Sequence, residues 1–259
     1  MNTKAVVMTS PGELAVQEVN LRDCPSEHVI VDIHYSGIST GTEKLFWNGK
    51  MPPFPGMGYP LIPGYESVGE VVSAGKSTGF KPGNFVFVPG ADCFSEPVRS
   101  LFGGAAKRVS SPAKRLIKID RAMGVNGALF ALAATARHAI AGFGNKMPEV
   151  IVGHGVLGRL LARFVVLAGE KPPVVWETNP LRHDGAAGYQ VILPDCDERS
   201  DYDCIFDASG DSGILDKLIG RVCRGGEIVL AGFYPERLSF GFPQAFIKEV
   251  SMRVSAEFL

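Results

Sequence analysis

The stretch Val150-Ile151-Val152-Gly153-His154-Gly155-Val156-Leu157-Gly158 decides the fold of this chain. Three consecutive apolar residues predict a short strand that is covered on both faces, and a glycine-rich turn follows it directly. Beyond Gly158, apolar side chains recur at helical spacing until Gly169, a typical helix stop. A strand, a glycine turn and a helix in this order predict the first half of a βαβ unit.

The three glycines of the turn match the G-x-G-x-x-G pattern of a dinucleotide site. Gly153 is predicted to make the tight turn, Gly155 to let the backbone approach a pyrophosphate, and Gly158 to let helix and strand pack closely. Free N–H groups and the helix dipole favour the phosphates. The other members of the predicted site are His154, Val156 and Leu157. A glycine-rich turn that binds no dinucleotide is the alternative.

Glu177 follows a second apolar strand, Val174-Val175-Trp176, and lies nineteen residues after Gly158. The dinucleotide pattern places an acidic residue about 20 residues on, where its carboxylate accepts hydrogen bonds from the ribose hydroxyls. Because a carboxylate there repels a 2′-phosphate, the sequence predicts NAD rather than NADP. Arg182 complicates this prediction, since an arginine can accommodate a phosphate, and a solvated surface role for Glu177 is the alternative.

Two later loops each follow an apolar strand, one after Cys204-Ile205-Phe206 and one after Ile228-Val229-Leu230. Ligands of open α/β sheets bind outside the carboxyl ends of the strands. We therefore predict that Ser209, Gly210 and Gly232 line the nicotinamide half of the site. A purely structural role for small residues in connecting turns is the alternative.

The first third of the chain has a different pattern. Short apolar or alternating segments are separated by Gly and Pro, as in the hairpin signal around Pro11-Gly12, and predict a small barrel-like β domain over 1–122. Longer helix-compatible segments begin at Met123, where we place a bridging helix. The sequence therefore predicts an α/β protein whose second domain, 123–259, holds a doubly wound parallel sheet.

The composition narrows the function classes. A chain of 259 residues with 46% hydrophobic content and a net charge of −1 offers no basic surface for nucleic acid. The five scattered cysteines include no C-x-x-C pair, which favours a reducing cytoplasm and argues against a structural zinc site. The most apolar region, Met123 to Phe143, is interrupted by polar residues and predicts a buried helix, so we expect no integral membrane segment. A homodimer is left open.

Three segments resemble the medium-chain dehydrogenase/reductase superfamily. Gly64 to Val72 is similar to its G-H-E-x-x-G-x-V-x signature, Lys81 to Val86 to its K-P-G-D-x-V turn, and Ser36 to Ser39 to its S-G-I-C segment. The resemblance covers the whole chain. It implies an N-terminal GroES-like β domain followed by a Rossmann domain with a doubly wound parallel sheet, and a nicotinamide cofactor.

The departures from that pattern concern the metal. Zinc-dependent members require Cys where this chain has Ser39 and His where it has Tyr65, and neutral hydroxyls are poor zinc ligands. Near Cys93 there is no second cysteine for a four-cysteine lobe. The resemblance is therefore to a zinc-independent branch, and we expect no metal.

A closer likeness is to the bacteriochlorophyllide dehydrogenase family within that superfamily. The segments that carry it are Ser39 to Phe46, Pro52 to Leu61, Thr135 to Ala139 and Val152 to Arg159. It implies that NAD oxidises the 3-(1-hydroxyethyl) group of bacteriochlorophyllide a, a magnesium tetrapyrrole, or of chlorophyllide a, to 3-acetyl. Family members usually continue beyond Leu259, so final return elements are expected to be missing. A zinc-independent NADPH quinone or enoyl reductase and a non-catalytic dinucleotide- or pigment-binding protein are the alternatives.

Without zinc, a side chain must accept the alcohol proton or stabilise the alkoxide. The candidates are Thr42, Glu43 and Tyr65 in the former zinc region, and His138 on the predicted bridging helix. Three of them have a structural alternative. Glu43 can be a helix N-terminal carboxylate, Tyr65 core packing, and His138 a helix residue with a structural hydrogen bond.

A flat, apolar macrocycle needs an apolar cleft with few polar anchors. The segment from Phe46 to Tyr59 is rich in aromatic residues, Met, Gly and Pro, and we expect it to form a wall or lid of that cleft. Trp47, Phe54 and Tyr59 are its aromatic candidates, and Lys50 is expected near a propionate. An ordinary loop with buried aromatic residues is the alternative.

Overall fold

The computed structural model describes residues 1–100, 102–141 and 146–255. The chain divides into two compact units, Met1–Ala131 and Leu132–Leu259. The first unit ends nine residues after the boundary predicted at 122. The predicted apolar helix ends at Phe143, which lies outside the described residues. The last four residues also lie outside them, and the expectation about elements missing after Leu259 concerns this end of the chain.

The first unit is built from antiparallel strands. A hairpin of β1 (Asn2–Ser10) and β2 (Glu13–Asn20) turns at Gly12, whose φ of 79° favours glycine. A five-stranded sheet has the order β6-β3-β4-β5-β7. Its strands are β3 (His28–Ser36), β4 (Ser67–Ala74), β5 (Phe85–Val88), β6 (Arg108–Pro112) and β7 (Ile117–Lys118). The short helix α1 (Thr42–Trp47) lies between β3 and β4 in the chain.

Alternation along the strands explains the core of this unit. Val29 and Val31 on β3 are fully buried, and Ile30 between them is more exposed, as period two requires for one covered face. They pack with Val71, Val86 and Val109 from the neighbouring strands. The hairpin around Pro11-Gly12 and the short strands predicted for this part of the chain are therefore confirmed.

The helix predicted to begin at Met123 begins later. Arg121–Leu129 is a 3-10 segment interrupted at Gly124, whose φ of 52° and ψ of −130° lie outside the helical region. The α-helix α2 (Phe130–Ala141) starts seven residues after Met123. The predicted first residue of the helix was wrong, because the spacing of apolar residues does not reveal that a single glycine adopts a non-helical backbone conformation. Within the described residues, no helix has the length and apolarity to cross a membrane.

The second unit is a six-stranded parallel sheet in the order β10-β9-β8-β11-β12-β13. Its elements are β8 (Val150–Val152), α3 (Val156–Leu167), β9 (Val174–Trp176), β10 (Gln190–Ile192), β11 (Tyr202–Asp207), α4 (Leu215–Arg221), β12 (Val222–Leu230), α5 (Phe242–Lys248) and β13 (Ser251–Val254). This order places the first strand beside the fourth, the arrangement of a doubly wound dinucleotide fold. The predicted parallel sheet is confirmed.

The central strand shows why its sequence is entirely apolar. Val150 and Val152 belong to the core on one face of the sheet, and Ile151 belongs to the core on the other, with Leu161 from α3. All three strand residues are buried. A strand covered on both faces has no polar side, so the period-two pattern disappears.

Asp197 joins three elements of this unit through its buried carboxylate. It accepts hydrogen bonds from the Trp176 indole N–H at 2.7 Å, the Tyr202 hydroxyl at 2.6 Å and the Arg199 backbone N–H at 3.0 Å. Burial raises the pKa of Asp197, but the hydrogen bonds from Tyr202 and Trp176 outweigh it and hold that pKa below its ordinary value.

The Asp197→Asn substitution is expected to lower the free energy of unfolding by about 2 kcal/mol, because it removes a charged acceptor from a buried network. Since the folded pKa is depressed, the contribution of Asp197 is complete above about pH 4 and is lost as the pH falls through the folded pKa. Urea denaturation at neutral and acid pH measures both effects. Asp195→Asn is the control, since Asp195 is exposed and pairs only with Lys217 among the described contacts. Equal losses in both variants would contradict the prediction.

Candidate functional site

The geometry of the glycine turn matches the task predicted for each glycine. Gly153 has a φ of 92°, which favours glycine. A Cβ at Gly158 would lie 1.8 Å from the Gly153 carbonyl oxygen, so a side chain is excluded where α3 meets β8. A Cβ at Gly155 would meet nothing within 4 Å, which leaves open space beside the backbone. This space is where a pyrophosphate would have to approach.

The start of α3 suits an anion. Val156 is the first residue of this 12-residue helix, Gly155 is its N-cap, and no side chain caps it. Its first turn also contains no acidic residue. Backbone N–H groups at such a terminus and the positive end of the helix dipole attract phosphate oxygens.

The loops after three parallel strands meet at one edge of the sheet. A Cβ at Gly153 would lie 3.2 Å from the Ser209 Cα, and a Cβ at Gly232 would lie 3.0 Å from the Gly210 nitrogen. The structure thus brings Ser209, Gly210 and Gly232 together with the glycine turn. They form one continuous backbone surface at the carboxyl ends of β8, β11 and β12.

Asp207 is a site residue that sequence reasoning missed. It ends β11, is fully buried, and accepts hydrogen bonds from the Ser209 N–H at 2.9 Å and the Tyr234 hydroxyl at 2.6 Å. Its own carbonyl accepts the N–H groups of Ala231 and Gly232. Burial raises the pKa of Asp207 above its ordinary value. The signal that could have found it is a carboxylate that closes an otherwise apolar strand.

Glu177 lies inside the site rather than on its surface. Its side chain is buried, and its carboxylate accepts the His154 N–H at 2.9 Å and the Asn179 N–H at 2.8 Å. Burial raises the pKa of Glu177, but these backbone hydrogen bonds and Arg182 outweigh it and hold the pKa below its ordinary value. The solvated surface role is therefore wrong. Arg182 itself is exposed.

The backbone of His154 forms part of the glycine turn, whereas its ring forms hydrogen bonds with residues outside the turn. The residue has no exposed surface. Its Nδ1 lies 2.5 Å from the Arg182 carbonyl oxygen and its Nε2 lies 2.8 Å from the Tyr189 hydroxyl. Both ring nitrogens are thus occupied by protein groups, and Tyr189 is a further residue that the sequence pattern did not indicate.

Three of the four catalytic candidates cluster in the first unit. The Thr42 and Tyr65 hydroxyl oxygens are 3.5 Å apart, and the buried Glu43 carboxylate accepts the Ser39 N–H at 3.0 Å. Burial raises the pKa of Tyr65 well above its ordinary value, so its phenol is neutral. His138 lies on α2 in the second unit with an exposed side chain, and its role stays a prediction.

The residues at the former zinc positions do not fit zinc. Ser39 and Tyr65 offer hydroxyl oxygens, where zinc prefers thiolate and imidazole. In the described parts of the chain, no group of three His, Cys, Asp or Glu side chains is arranged to hold a metal ion.

The four pigment candidates fall into two pairs. The Tyr59 hydroxyl donates to the Phe46 carbonyl, and the Phe54 ring packs edge-on to the Phe46 ring at 6.3 Å, so both belong to an apolar cluster of the first unit. Trp47 ends α1 with 39% of its surface exposed, and Lys50 is exposed as well. The second pair is therefore more exposed than the first.

Comparisons with known proteins place these features in a family. A family model described as the alcohol dehydrogenase GroES-like domain matches residues 25–121. The 2-desacetyl-2-hydroxyethyl bacteriochlorophyllide A dehydrogenase of Rhodobacter capsulatus is 58% identical over 257 residues, which cover 99% of this chain and 82% of that protein. Its namesake from Cereibacter sphaeroides is 55% identical over 261 residues, with the same coverage.

Solved structures agree on the fold. The 2R,3R-butanediol dehydrogenase of Bacillus subtilis superposes with a TM-score of 0.81 at 20% identity, covering 99% of this chain and 84% of that chain. Such low identity concerns the fold alone. Together with the GroES-like match and the parallel sheet, it confirms the predicted fold class, a GroES-like β domain followed by a Rossmann domain.

Two glycine substitutions should separate folding from cofactor binding. Gly158→Ala is expected to lower the free energy of unfolding by about 3 kcal/mol, because the new methyl group overlaps the Gly153 carbonyl. Gly155→Ala should change stability by less than about 0.5 kcal/mol but weaken NAD binding about tenfold, because its methyl group fills the approach space. Thermal denaturation and calorimetric titration with NAD measure the two effects. Unchanged NAD affinity in Gly155→Ala would contradict the assignment of the turn.

Proposed function

This chain belongs to the family of the 2-desacetyl-2-hydroxyethyl bacteriochlorophyllide A dehydrogenases, within the medium-chain dehydrogenases, and we propose that it catalyses their reaction with NAD as the hydride acceptor. The observation that carries the proposal is the 58% identity to the Rhodobacter capsulatus protein, which extends over 99% of this chain. The aligned region spans both units, and therefore includes the segments that hold the dinucleotide turn and the hydroxyl cluster.

The proposed reaction converts a hydroxyethyl group on ring A of bacteriochlorophyllide a, or of chlorophyllide a, to an acetyl group. The carbinol carbon loses a hydride and the hydroxyl loses a proton, so a ketone, NADH and one proton result. When bound, NAD supplies the carbon that accepts the hydride. The protein must hold the macrocycle, exclude water and receive the proton.

The second unit supplies the features that fit a dinucleotide. Gly155 leaves backbone space at the uncapped start of α3, and Gly153, Ser209 and Gly232 continue that surface across the sheet edge. The depressed pKa of Glu177 keeps its carboxylate ionised at the end of β9. A fixed negative charge at that point opposes a 2′-phosphate, which supports NAD over NADP.

The first unit supplies hydroxyl groups in place of a metal. Because its pKa is raised, Tyr65 does not act as the base at neutral pH; it donates a hydrogen bond to the substrate oxygen as negative charge develops there. The Thr42 hydroxyl lies 3.5 Å from that phenol and can accept and pass on a proton. Glu43 and His138 are the two proposed final proton acceptors.

Turnover decides between this proposal and its two alternatives. Purified protein incubated with hydroxyethyl bacteriochlorophyllide a and NAD is expected to form NADH and to shift the pigment spectrum. Preference for NADPH and a quinone or enone would instead support the zinc-independent reductase. Pigment or dinucleotide binding without turnover would support a non-catalytic protein.

The Tyr65→Phe substitution is expected to lower kcat about 100-fold, because it removes the donor to the developing alkoxide. The KM for pigment should change little, since the ring and its packing against Phe102 remain. Steady-state kinetics measure both values. Tyr35→Phe is the control, since Tyr35 is exposed on β3 of the same unit. A fully active Tyr65→Phe enzyme would remove Tyr65 from the mechanism.

The exposed and the packed aromatic residues of the predicted lid should respond differently to truncation. Trp47→Ala is expected to weaken pigment binding about tenfold with a smaller loss of stability than Phe54→Ala, because Trp47 is the more exposed of the two residues. Phe54→Ala should instead lower the free energy of unfolding by about 2 kcal/mol, because its ring packs against Phe46. Pigment titration and thermal denaturation measure the two effects. Unchanged affinity in both variants would exclude the lid.

A further inference from the structure

The connection between β9 and β10 contains no α-helix. Residues 178–189, called here the 178–189 loop, include one 3-10 turn, Pro180–Arg182, followed by irregular backbone with positive φ at Gly185 and Gly188. A parallel connection is usually secured by the packing of its helix on the sheet. This loop must therefore be secured in another way.

Polar side chains from the glycine turn and α3 hold the loop by its carbonyl groups. The Arg182 carbonyl oxygen lies 2.5 Å from His154 Nδ1 and accepts a hydrogen bond from Arg159 at 3.0 Å. Arg163 donates to the Gly185 carbonyl at 3.3 Å. The position of the Arg182 backbone therefore depends on side chains outside the loop.

The tautomer of His154 follows from its partners. A carbonyl oxygen only accepts, so Nδ1 carries the proton and donates it to Arg182. Nε2 then accepts from the Tyr189 hydroxyl at 2.8 Å, and the Tyr189 ring meets the imidazole edge-on at 5.5 Å. One buried imidazole thus connects the middle of the loop to its far end.

The same histidine also holds the acidic group of the site. Its backbone N–H donates to Glu177, while its ring fixes the Arg182 carbonyl. With its carbonyl turned toward His154, Arg182 leaves its side chain exposed. His154 therefore contacts both Glu177, whose carboxylate opposes a 2′-phosphate, and the backbone of Arg182, whose guanidinium would attract one.

We propose that His154, supported by Tyr189, is a positioning residue for cofactor discrimination: it fixes the 178–189 loop so that Glu177, and not the Arg182 guanidinium, meets the 2′ position of the adenosine ribose. This inference rests on the proposed use of NAD. It assigns the choice between NAD and NADP to a buried imidazole rather than to Glu177 alone. Releasing the ring should let the loop bring Arg182 toward a 2′-phosphate.

Calorimetric titration of the full chain with NAD and with NADP tests the inference without any pigment. His154→Asn keeps a polar side chain that cannot span both partners, and it should lower the NAD-over-NADP affinity ratio about tenfold. Tyr189→Phe keeps the ring and removes the hydrogen bond to His154, so a change of about threefold is expected. His154→Asn/Arg182→Ala should lose the gained NADP affinity, because the guanidinium supplies it.

Tyr202→Phe is the matched control. It removes another tyrosine hydroxyl bond, to Asp197, at the first residue of β11, and should leave the ratio unchanged because that bond involves no residue of the 178–189 loop. Unchanged ratios in His154→Asn and Tyr189→Phe, or NADP affinity that persists in the double variant, would overturn the inference alone. If His154→Asn does not fold, Tyr189→Phe decides. Wild-type protein that prefers NADP, or binds neither dinucleotide, would overturn the proposed function and this inference with it.

Discussion

The close contact between Gly158 and the Gly153 carbonyl is the constraint on which the second unit depends. A side-chain carbon at 158 would lie 1.8 Å from that oxygen, so only glycine lets α3 pack against β8 at this point. The contact aims the start of α3 at the carboxyl edge of the sheet, where Ser209 and Gly232 also lie near the turn. The proposed dinucleotide surface is thus mainly a product of backbone packing.

Buried carboxylates then fix the loops that this packing brings together. Glu177 accepts two backbone N–H groups from the turn and from the 178–189 loop, and Asp207 connects the loops after β11 and β12 through Ser209 and Tyr234. Buried acceptors of this kind cost free energy unless they are satisfied, so each holds its partners firmly. The loops on which the cofactor would depend are thus held by contacts within the protein, which lowers the entropic cost of binding.

The first unit lacks the thiolate and imidazole groups that bind zinc in the zinc-dependent members of the superfamily. Ser39 and Tyr65 place neutral hydroxyls at those positions, and burial keeps the Tyr65 phenol protonated. A neutral donor can stabilise an alkoxide but cannot remove a proton at neutral pH, so the proposed reaction assigns stabilisation and deprotonation to different groups. This division follows from the residue types and not from any property of the pigment.

The sequence by itself determined the fold class, the strand, turn and helix around Gly153 to Gly158 and the strands before Glu177 and Ser209, because these depend on local backbone limits and on apolar spacing. Glu177 was predictable from its distance to Gly158. Only the tertiary structure decided that Phe54 and Tyr59 are packed while Trp47 is exposed, and that α2 begins after Gly124. Asp207 and Tyr234 lie 27 residues apart in the chain, and His154 and Tyr189 lie 35 residues apart. No local pattern records such pairs, since folding alone brings them within hydrogen-bonding distance.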